Sequence, residues 1–302
     1  MHSPDTLCLF AAEPLDRASE LRVDPSWIAA RLADPASALI PLWRGDPLTR
    51  GARGVFLSAS AMREMPAGAP VVFLGLKDGI AHFAVDVSAA PSPERAPFAD
   101  IGRYAPLREA AGALDEDDLA VIGEARWLLD WHRRHRFCAN CGAATDIAEG
   151  GAKRQCPDCG TEHFPRTDPV AIVLAEHDGA CLLGRSPRFP PGFVSALAGF
   201  VEAAETPEAC AIRELREEAG VTLLDARYQF SQPWPFPSSL MMGFFGTAKD
   251  RALRLDEKEI AEARWVTRAE IFALLEGGGP GDILLPPRFT IARRLIERWA
   301  RG

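Results

Sequence analysis

Four of the chain's seven cysteines fall as Cys138-x2-Cys141 and Cys156-x2-Cys159, with residues 142–155 between the pairs. A C-x2-C turn aims two sulfurs at one point, and two such turns complete the tetrahedral thiolate shell that zinc prefers. Gly142 and Gly160 follow the second cysteine of each pair, where a tight turn is helped by a residue with no side chain. With all four positions filled by sulfur, none remains for water, so this zinc is expected to be structural. Two disulfides are the competing reading, and the weaker one. The opening MHSPDTLCLFAAEPLDR lacks a basic start, and Asp5, Glu13 and Asp16 interrupt its apolar stretch, so an export signal is not expected.

The module divides a chain of 302 residues, a length that predicts two or three domains. A hydrophobic fraction of 47% excludes a disordered or collagen-like chain. No apolar run approaches the ~18 residues that a membrane span needs. The net charge of -8 gives no global footprint for nucleic acid. A cytoplasmic globular protein is expected.

Before the cysteines, VVFLGL (71–76) and IAHFAVDV (80–87), joined around Asp78-Gly79, carry a hairpin signal, and APSPERAPF (90–98) reads as a loop. A helix is expected from about Glu116 to His132, with Asp115 as N-cap and acids in its first turn. From Asp168 the pattern becomes a strand, a second strand, a glycine-rich turn, a helix and further strands. No internal repeat is evident, and the first 100 residues carry no chemical motif.

The segment GFVEAAETPEACAIRELREEAGV (199–221) is the most informative. Thr206 can cap a helix that starts at Pro207 and is stopped by Gly220. At 100° per residue, Ile212, Leu215 and Ala219 form a core stripe, and Cys210 packs as a small apolar residue. Glu214, Glu217 and Glu218 then share another face and repel one another, while Arg213, four residues before Glu217, neutralises only one of them. A cation is the simplest remedy. Carboxylate oxygens are hard donors, so Mg2+ or Mn2+ is expected rather than zinc, and such ions characteristically bridge phosphates. A solvated acidic face would not explain Gly199 and Glu205 placed upstream.

These residues resemble the Nudix box, G-x5-E-x7-R-E-U-x-E-E-x-G-U with U aliphatic. Gly199, Glu205, Arg213, Glu214, Leu215, Glu217, Glu218, Gly220 and Val221 match every fixed position. The resemblance implies an α/β/α sandwich that hydrolyses a nucleoside diphosphate linked to another moiety.

Two further features narrow the substrate. One is the cysteine module directly upstream. The other is SQPWPFPSS (231–239), a loop whose alternating prolines make a stiff wall able to hold a flat ligand. SQPWPFP resembles the signature of NADH pyrophosphatases, NudC-type Nudix hydrolases, and HFPRTDPVAIV (163–173) resembles that family's junction between ribbon and Nudix domain. The resemblance implies an α+β chain in three parts: a β-rich NADH-pyrophosphatase-like domain (1–132), a four-cysteine zinc ribbon (133–165) and a Nudix domain (166–302). Residue by residue, it implies that the Ala198 carbonyl, Glu214, Glu218 and Glu259 hold the divalent ions. Phe164 and Phe200 sandwich a ring, and Gln232, Pro233, Trp234, Pro235, Phe236, Pro237, Ser238 and Ser239 line the pocket. Ala292 adds a backbone contact. Glu217 or Glu218 activates water, with Arg213 beside them. Phe164 stands where members often have Tyr, which keeps stacking and loses a hydroxyl. The implied substrates are NADH and NAD+, with NAD-capped RNA sharing the same bond; ADP-ribose or dinucleoside polyphosphates are the alternative. A homodimer is also implied. The basic run His132-Arg133-Arg134-His135-Arg136 and Lys153-Arg154 would suit RNA, against a reading as a solvated helix end, which is weighted higher.

Overall fold

A computed structural model describes residues 8–278 and 281–302. Two compact units emerge: one spans Ala12–Arg166 together with Pro235–Ser238, the other the described residues up to Ala11, Thr167–Trp234 and Ser239–Gly302.

In the first unit, helix α1 (Pro25–Ala33) precedes strands β1 (Ala38–Trp43), β2 (Asp46–Arg50), β3 (Arg53–Gly54), β4 (Leu57–Ser58), β5 (Val71–Lys77), β6 (Ile80–Asp86) and β7 (Arg103–Tyr104). The expected hairpin is β5–β6, and Asp78 and Gly79 turn it with φ of 52° and 78°, the left-handed pair that a two-residue turn demands. After α2 (Leu107–Ala110), helix α3 (Glu116–Arg134) packs across β5, β6 and β1. Asp115 caps α3 by accepting from Asp117 N at 3.0 Å. The ribbon closes the unit with a small antiparallel sheet: β8 (Asp146–Ala148), β9 (Lys153–Gln155) and β10 (Glu162–His163).

The second unit holds β11 (Asp168–His177), β12 (Ala180–Arg185), β13 (Leu197–Phe200), α4 (Pro207–Ala219), β14 (Arg227–Trp234), β15 (Ser239–Thr247), β16 (Glu262–Thr267), α5 (Arg268–Leu275) and α6 (Ile291–Arg301). Its sheet runs β14-β15-β11-β12-β16, with β13 also on β11. Strand β11 is buried on both faces, so it reads as a continuous apolar run and its alternate residues serve opposite layers. Ala171, Val173 and Ala175 face Cys210, Ala211, Leu215 and Ala219 of α4, whereas Ile172 and Leu174 join Ile271 of α5 and Ile291, Leu295, Ile296 and Trp299 of α6. That is the expected α/β/α sandwich. Each fully buried aliphatic side chain contributes roughly 1.5–3 kcal/mol.

One expectation fails. The sequence shows no repeat, yet the two units share a topology. The first sheet runs β3-β2-β1-β6-β5, with β4 on β1 and β7 on β2. In both sheets the first strand forms a hairpin with the second, pairs antiparallel with a short later strand (β4, β13), and lies parallel to the return strand of a second hairpin (β6, β15). Each then sends one strand back onto the second (β7, β16) and ends in helices. Where the second unit places the 13-residue α4, the first has a six-residue 3-10 turn, Ala59–Glu64, with one carboxylate, Glu64. Backbone pairing preserves the repeat while the side chains that would announce it differ.

Candidate active site

Thr206 starts α4 by accepting from Ala209 N at 3.2 Å, Pro207 occupies the first turn, and Gly220 ends it in the left-handed conformation at φ 71°. Gly220 N–H reaches Arg216 O at 3.1 Å and Val221 N–H reaches Leu215 O at 3.1 Å, which takes up terminal carbonyls. The next two carbonyls are taken by a neighbouring segment: Arg254 N–H donates to Ala219 O at 2.8 Å and Asp256 N–H to Glu218 O at 3.0 Å. The turn at Asp256, closed by Glu259 N–H on Asp256 O at 3.0 Å, thereby brings Glu259 to the acidic face.

Arg213 departs from expectation. Its spacing suggested that it serves only Glu217, but the structure gives it three carboxylates. Nε and Nη2 form a fork on Glu205 at 2.8 and 2.9 Å, and Nη1 reaches Glu214 at 2.7 Å and Glu217 at 3.0 Å. Nη2 also donates to Phe200 O at 3.0 Å. The loop from β13 back to α4 brings Glu205 within reach, which helix periodicity alone does not reveal. Hydrogen bonds from Arg213 hold the Glu205 carboxyl down to about 2, and Glu205 in turn accepts from Glu202 N–H. Arg213 is thus the brace between helix and loop.

Glu218 receives no such help. It is buried, its Oε2 has no hydrogen-bond partner, and burial followed by repulsion from Glu214, Glu259 and Glu217 pushes its carboxyl up to about 8. Glu214 is also raised, burial again leading. A buried anion surrounded by anions is costly unless a cation joins it. The donor set and the orphaned oxygen therefore fit a hard divalent ion. The carboxylates are not drawn as tightly as the sulfurs: among the described residues, the only group of three or more possible ligand atoms within 4.8 Å of one another is the cysteine set. Ala198 lies beside Gly199 in β13, paired with Ile172.

In the cysteine set, Cys138 and Cys159 sulfurs are 3.7 Å apart and those of Cys141 and Cys156 3.5 Å. A tetrahedral zinc shell with ~2.3 Å bonds puts sulfurs ~3.8 Å apart, whereas a disulfide needs ~2.05 Å. The two turns match: Gly142 N–H bonds Cys138 O at 2.9 Å and Gly160 N–H bonds Cys156 O at 3.0 Å, with φ of 80° and 73° at the glycines.

The residues expected to line a pocket divide. Phe164 and Phe200 each present a ring at the surface, 65% and 62% exposed. SQPWPFPSS is not wholly a loop: Ser231–Trp234 complete β14, an edge strand where the missing N–H of Pro233 is tolerated, and Ser239 begins β15. Gln232 is fully buried and its amide is committed, with Nε2 donating to Leu9 O at 2.9 Å and Phe289 O at 2.7 Å and Oε1 accepting from Ile291 N–H at 2.7 Å. Strand alternation turns it inward, so it clasps the start of α6 and does not line a pocket. Trp234 stacks on Phe289, centroids 6.1 Å apart, with Phe10 edge-on at 6.3 Å. Pro235 O and the Phe236 ring are engaged by arginines of α2 and α3, residues that no sequence signal picked out. Pro237 is exposed and Ser238 buried. Ala292 is the second residue of α6, where helix N–H groups lack helical acceptors.

The basic run is partly paired off, while Arg133, Arg134 and Arg136 stay exposed. His132 and Arg154 are buried, Arg133 and Arg134 both pair with Asp130, and Lys153 pairs with Glu149 and Glu162.

Comparison with known proteins supplies the context. Residues 165–287 match the NUDIX domain model, 133–164 the NADH pyrophosphatase zinc ribbon domain, and 36–131 the NADH pyrophosphatase-like rudimentary NUDIX domain. The last match accords with the repeated topology. A human protein described as NAD-capped RNA hydrolase NUDT12 is 34% identical over 97% of this chain and 73% of its own. NAD-capped RNA hydrolase NudC of Mycobacterium bovis (strain BCG / Pasteur 1173P2) is 41% identical over 94% and 92%.

Proposed function

The chain belongs to the Nudix hydrolases that carry an NADH pyrophosphatase zinc ribbon, and from that premise we propose that it hydrolyses the pyrophosphate of NADH and NAD+, including NAD caps on RNA 5′ ends. The observation that carries the chemistry is Glu218, a buried carboxylate whose charged neighbours on the helix face are other carboxylates. Four thiolates at tetrahedral spacing make the ribbon's zinc structural, a site closed to substrate.

We assign Glu214, Glu218, Glu259 and the Ala198 carbonyl to the catalytic divalent ion, Mg2+ or Mn2+. Bound there, it supplies neutralisation of the phosphate oxygens as the P–O–P bridge breaks. Glu217 is exposed and is assigned the proton of the attacking water, because buried Glu218 is the carboxylate that most needs a cation. Water oxygen bonds to one phosphorus, the bridging P–O bond breaks, and the leaving phosphate departs as an anion, giving AMP and NMNH or NMN. Arg213 keeps Glu214 and Glu217 aimed and ties the loop after β13 to the helix. Phe164 and Phe200 offer exposed ring faces for stacking a base. The same reading carries a homodimer.

Product analysis by chromatography tests it. Purified protein with NADH and Mg2+ is expected to yield AMP and NMNH, with loss of both on chelation. Hydrolysis of ADP-ribose or a dinucleoside polyphosphate without NADH cleavage would keep the chemistry and sink the substrate. Light scattering of the purified chain checks the dimer.

A further inference from the structure

Within the second unit, Gln232 joins three stretches that lie far apart in sequence. Its Nε2 donates to Leu9 O at 2.9 Å and to Phe289 O at 2.7 Å, and its Oε1 accepts from Ile291 N–H at 2.7 Å. Residues 8–11 thus belong to the Nudix unit, although residues 12–166, which follow them, build the other one. They are seated firmly. Ala11 N–H bonds Cys8 O at 3.0 Å, and Cys8 is buried in the core that Ile283, Ile291, Leu295 and Trp299 also form. Phe10 is buried too and meets Trp234 edge-on, while Phe289 stacks on that same tryptophan. Phe10 has φ 69°, a left-handed conformation that disfavours a bulky side chain, so the contacts around it must hold it there. Trp234 is only half-buried, and these two rings are what fix its plane.

We propose that residues 8–11 form a strap that positions Trp234 and the first turn of α6 for substrate binding, with Phe10 as the positioning residue and Gln232 as the tie. The strap rests on the reading that Trp234 and Ala292 border the NAD(H) site. Gln232 transmits the hold because one carboxamide serves the strap, the segment before α6 and the first N–H of α6 together. Loosening the strap would leave that amide a donor short of an acceptor and Trp234 with one edge uncovered. The strap therefore acts on how well the nucleotide is held, and the acidic face of α4 keeps its own bracing by Arg213.

The test uses the full zinc-loaded chain with Phe10→Ala and Phe10→Leu, and Cys8 as the reporter. Burial pushes the Cys8 thiol up to about 11, so N-ethylmaleimide reaches it as a reactive thiolate only when the strap opens. Peptide mass spectrometry reads the labelling, with Cys210, buried in the opposite layer, as internal control. Phe10→Ala is expected to speed Cys8 labelling about tenfold or more and to raise the KM for NADH about tenfold. Its kcat should change by no more than about threefold, and Cys210 should label as in the parent. Phe10→Leu keeps apolar bulk without the aromatic edge and should fall between. In the parent, AMP is added with Mg2+ at about tenfold its inhibition constant. If opening weakens nucleotide binding about tenfold, AMP should slow Cys8 labelling about fivefold. Unchanged Cys8 labelling in Phe10→Ala overturns the strap. Faster labelling with unchanged KM, or AMP that inhibits turnover and leaves the Cys8 rate unchanged, overturns its part in substrate binding. If Phe10→Ala fails to fold, the AMP measurement on the parent decides. If the parent leaves NADH intact, it is the substrate reading that has failed, and Cys8 labelling in the variants still decides the strap.

Discussion

Gly199 and Glu214 meet so closely that a Cβ on the glycine would lie 1.8 Å from Glu214 Cδ and 2.0 Å from its Oε1. The first glycine of the box is therefore required by approach: strand β13 lies against the acidic face of α4 only because the strand has no side chain there.

Gly199→Ala should push Glu214 away from its place beside Arg213. Overpacking of this kind costs about 1–3 kcal/mol. Displacing a catalytic carboxylate by an ångström lowers turnover on the order of 100-fold. Melting curves and Mg2+-dependent kcat together check this. A variant that melts a few degrees lower but turns over normally would show that Glu214 can move without consequence.

Glu218→Gln should keep the fold and remove nearly all turnover. It should also change the pH dependence of stability. The folded carboxyl keeps its proton up to about 8, whereas the ordinary value is 4.5, so between these values the folded state binds more protons and stability falls as pH rises. The amide does not titrate. In chelator, the variant is expected to melt above the parent near about pH 8 and to lose that advantage near about pH 5. Equal melting temperatures at the higher pH, or near-normal activity with Mg2+, would refute the assignment.

The local signals were legible because their causes are local. Thr206, Pro207 and Gly220 bound a helix whatever it packs against, Asp78-Gly79 turns a hairpin by φ alone, and Cys138 to Cys159 lie within one short stretch of chain. What stayed hidden depends on residues far apart in sequence. Arg213 finds Glu205 through a loop, Gln232 bonds Leu9 and Ile291, and Arg126 holds Pro235 across 109 positions. The repeat is carried by strand pairing, and because one copy has a 3-10 turn in place of α4, the acidic motif that marks the second copy is missing from the first.

His132 should make the ribbon's attachment acid-sensitive. It accepts at Nδ1 from Arg154 Nη1 at 3.2 Å and donates from Nε2 to Gly151 O at 2.8 Å, a neutral tautomer, while Arg154 Nε reaches Thr145 Oγ1 at 2.7 Å. Burial leads in pushing His132 down from 6.5 to about 4. Between those values the unfolded chain binds the extra proton, so stability is lost as pH falls, by roughly 3 kcal/mol at the lower end. His132→Gln, which keeps a donor for Gly151, should flatten the melting-temperature profile over that window. A variant profile parallel to the parent's would remove His132 as the cause.

The two metals should separate. Cys138 and Cys156 are buried, and the sheet around them has strands of only two or three residues, too short to hold itself together without the metal. Structural zinc in such modules contributes ~10–16 kcal/mol to folding, so it is held far more tightly than an ion on carboxylates. The acidic face, by contrast, is open to exchange through exposed Glu217 and Glu259. Brief EDTA treatment is therefore expected to abolish turnover reversibly, with Mg2+ restoring it while metal analysis still finds one zinc per chain. A thiol-directed mercurial should release that zinc and expose the segment around Cys138–His163 to protease. Cys156→Ser should mimic the second treatment and not the first. If EDTA removed activity and zinc together, with zinc and not Mg2+ restoring turnover, the closed ribbon would have to be given a catalytic part.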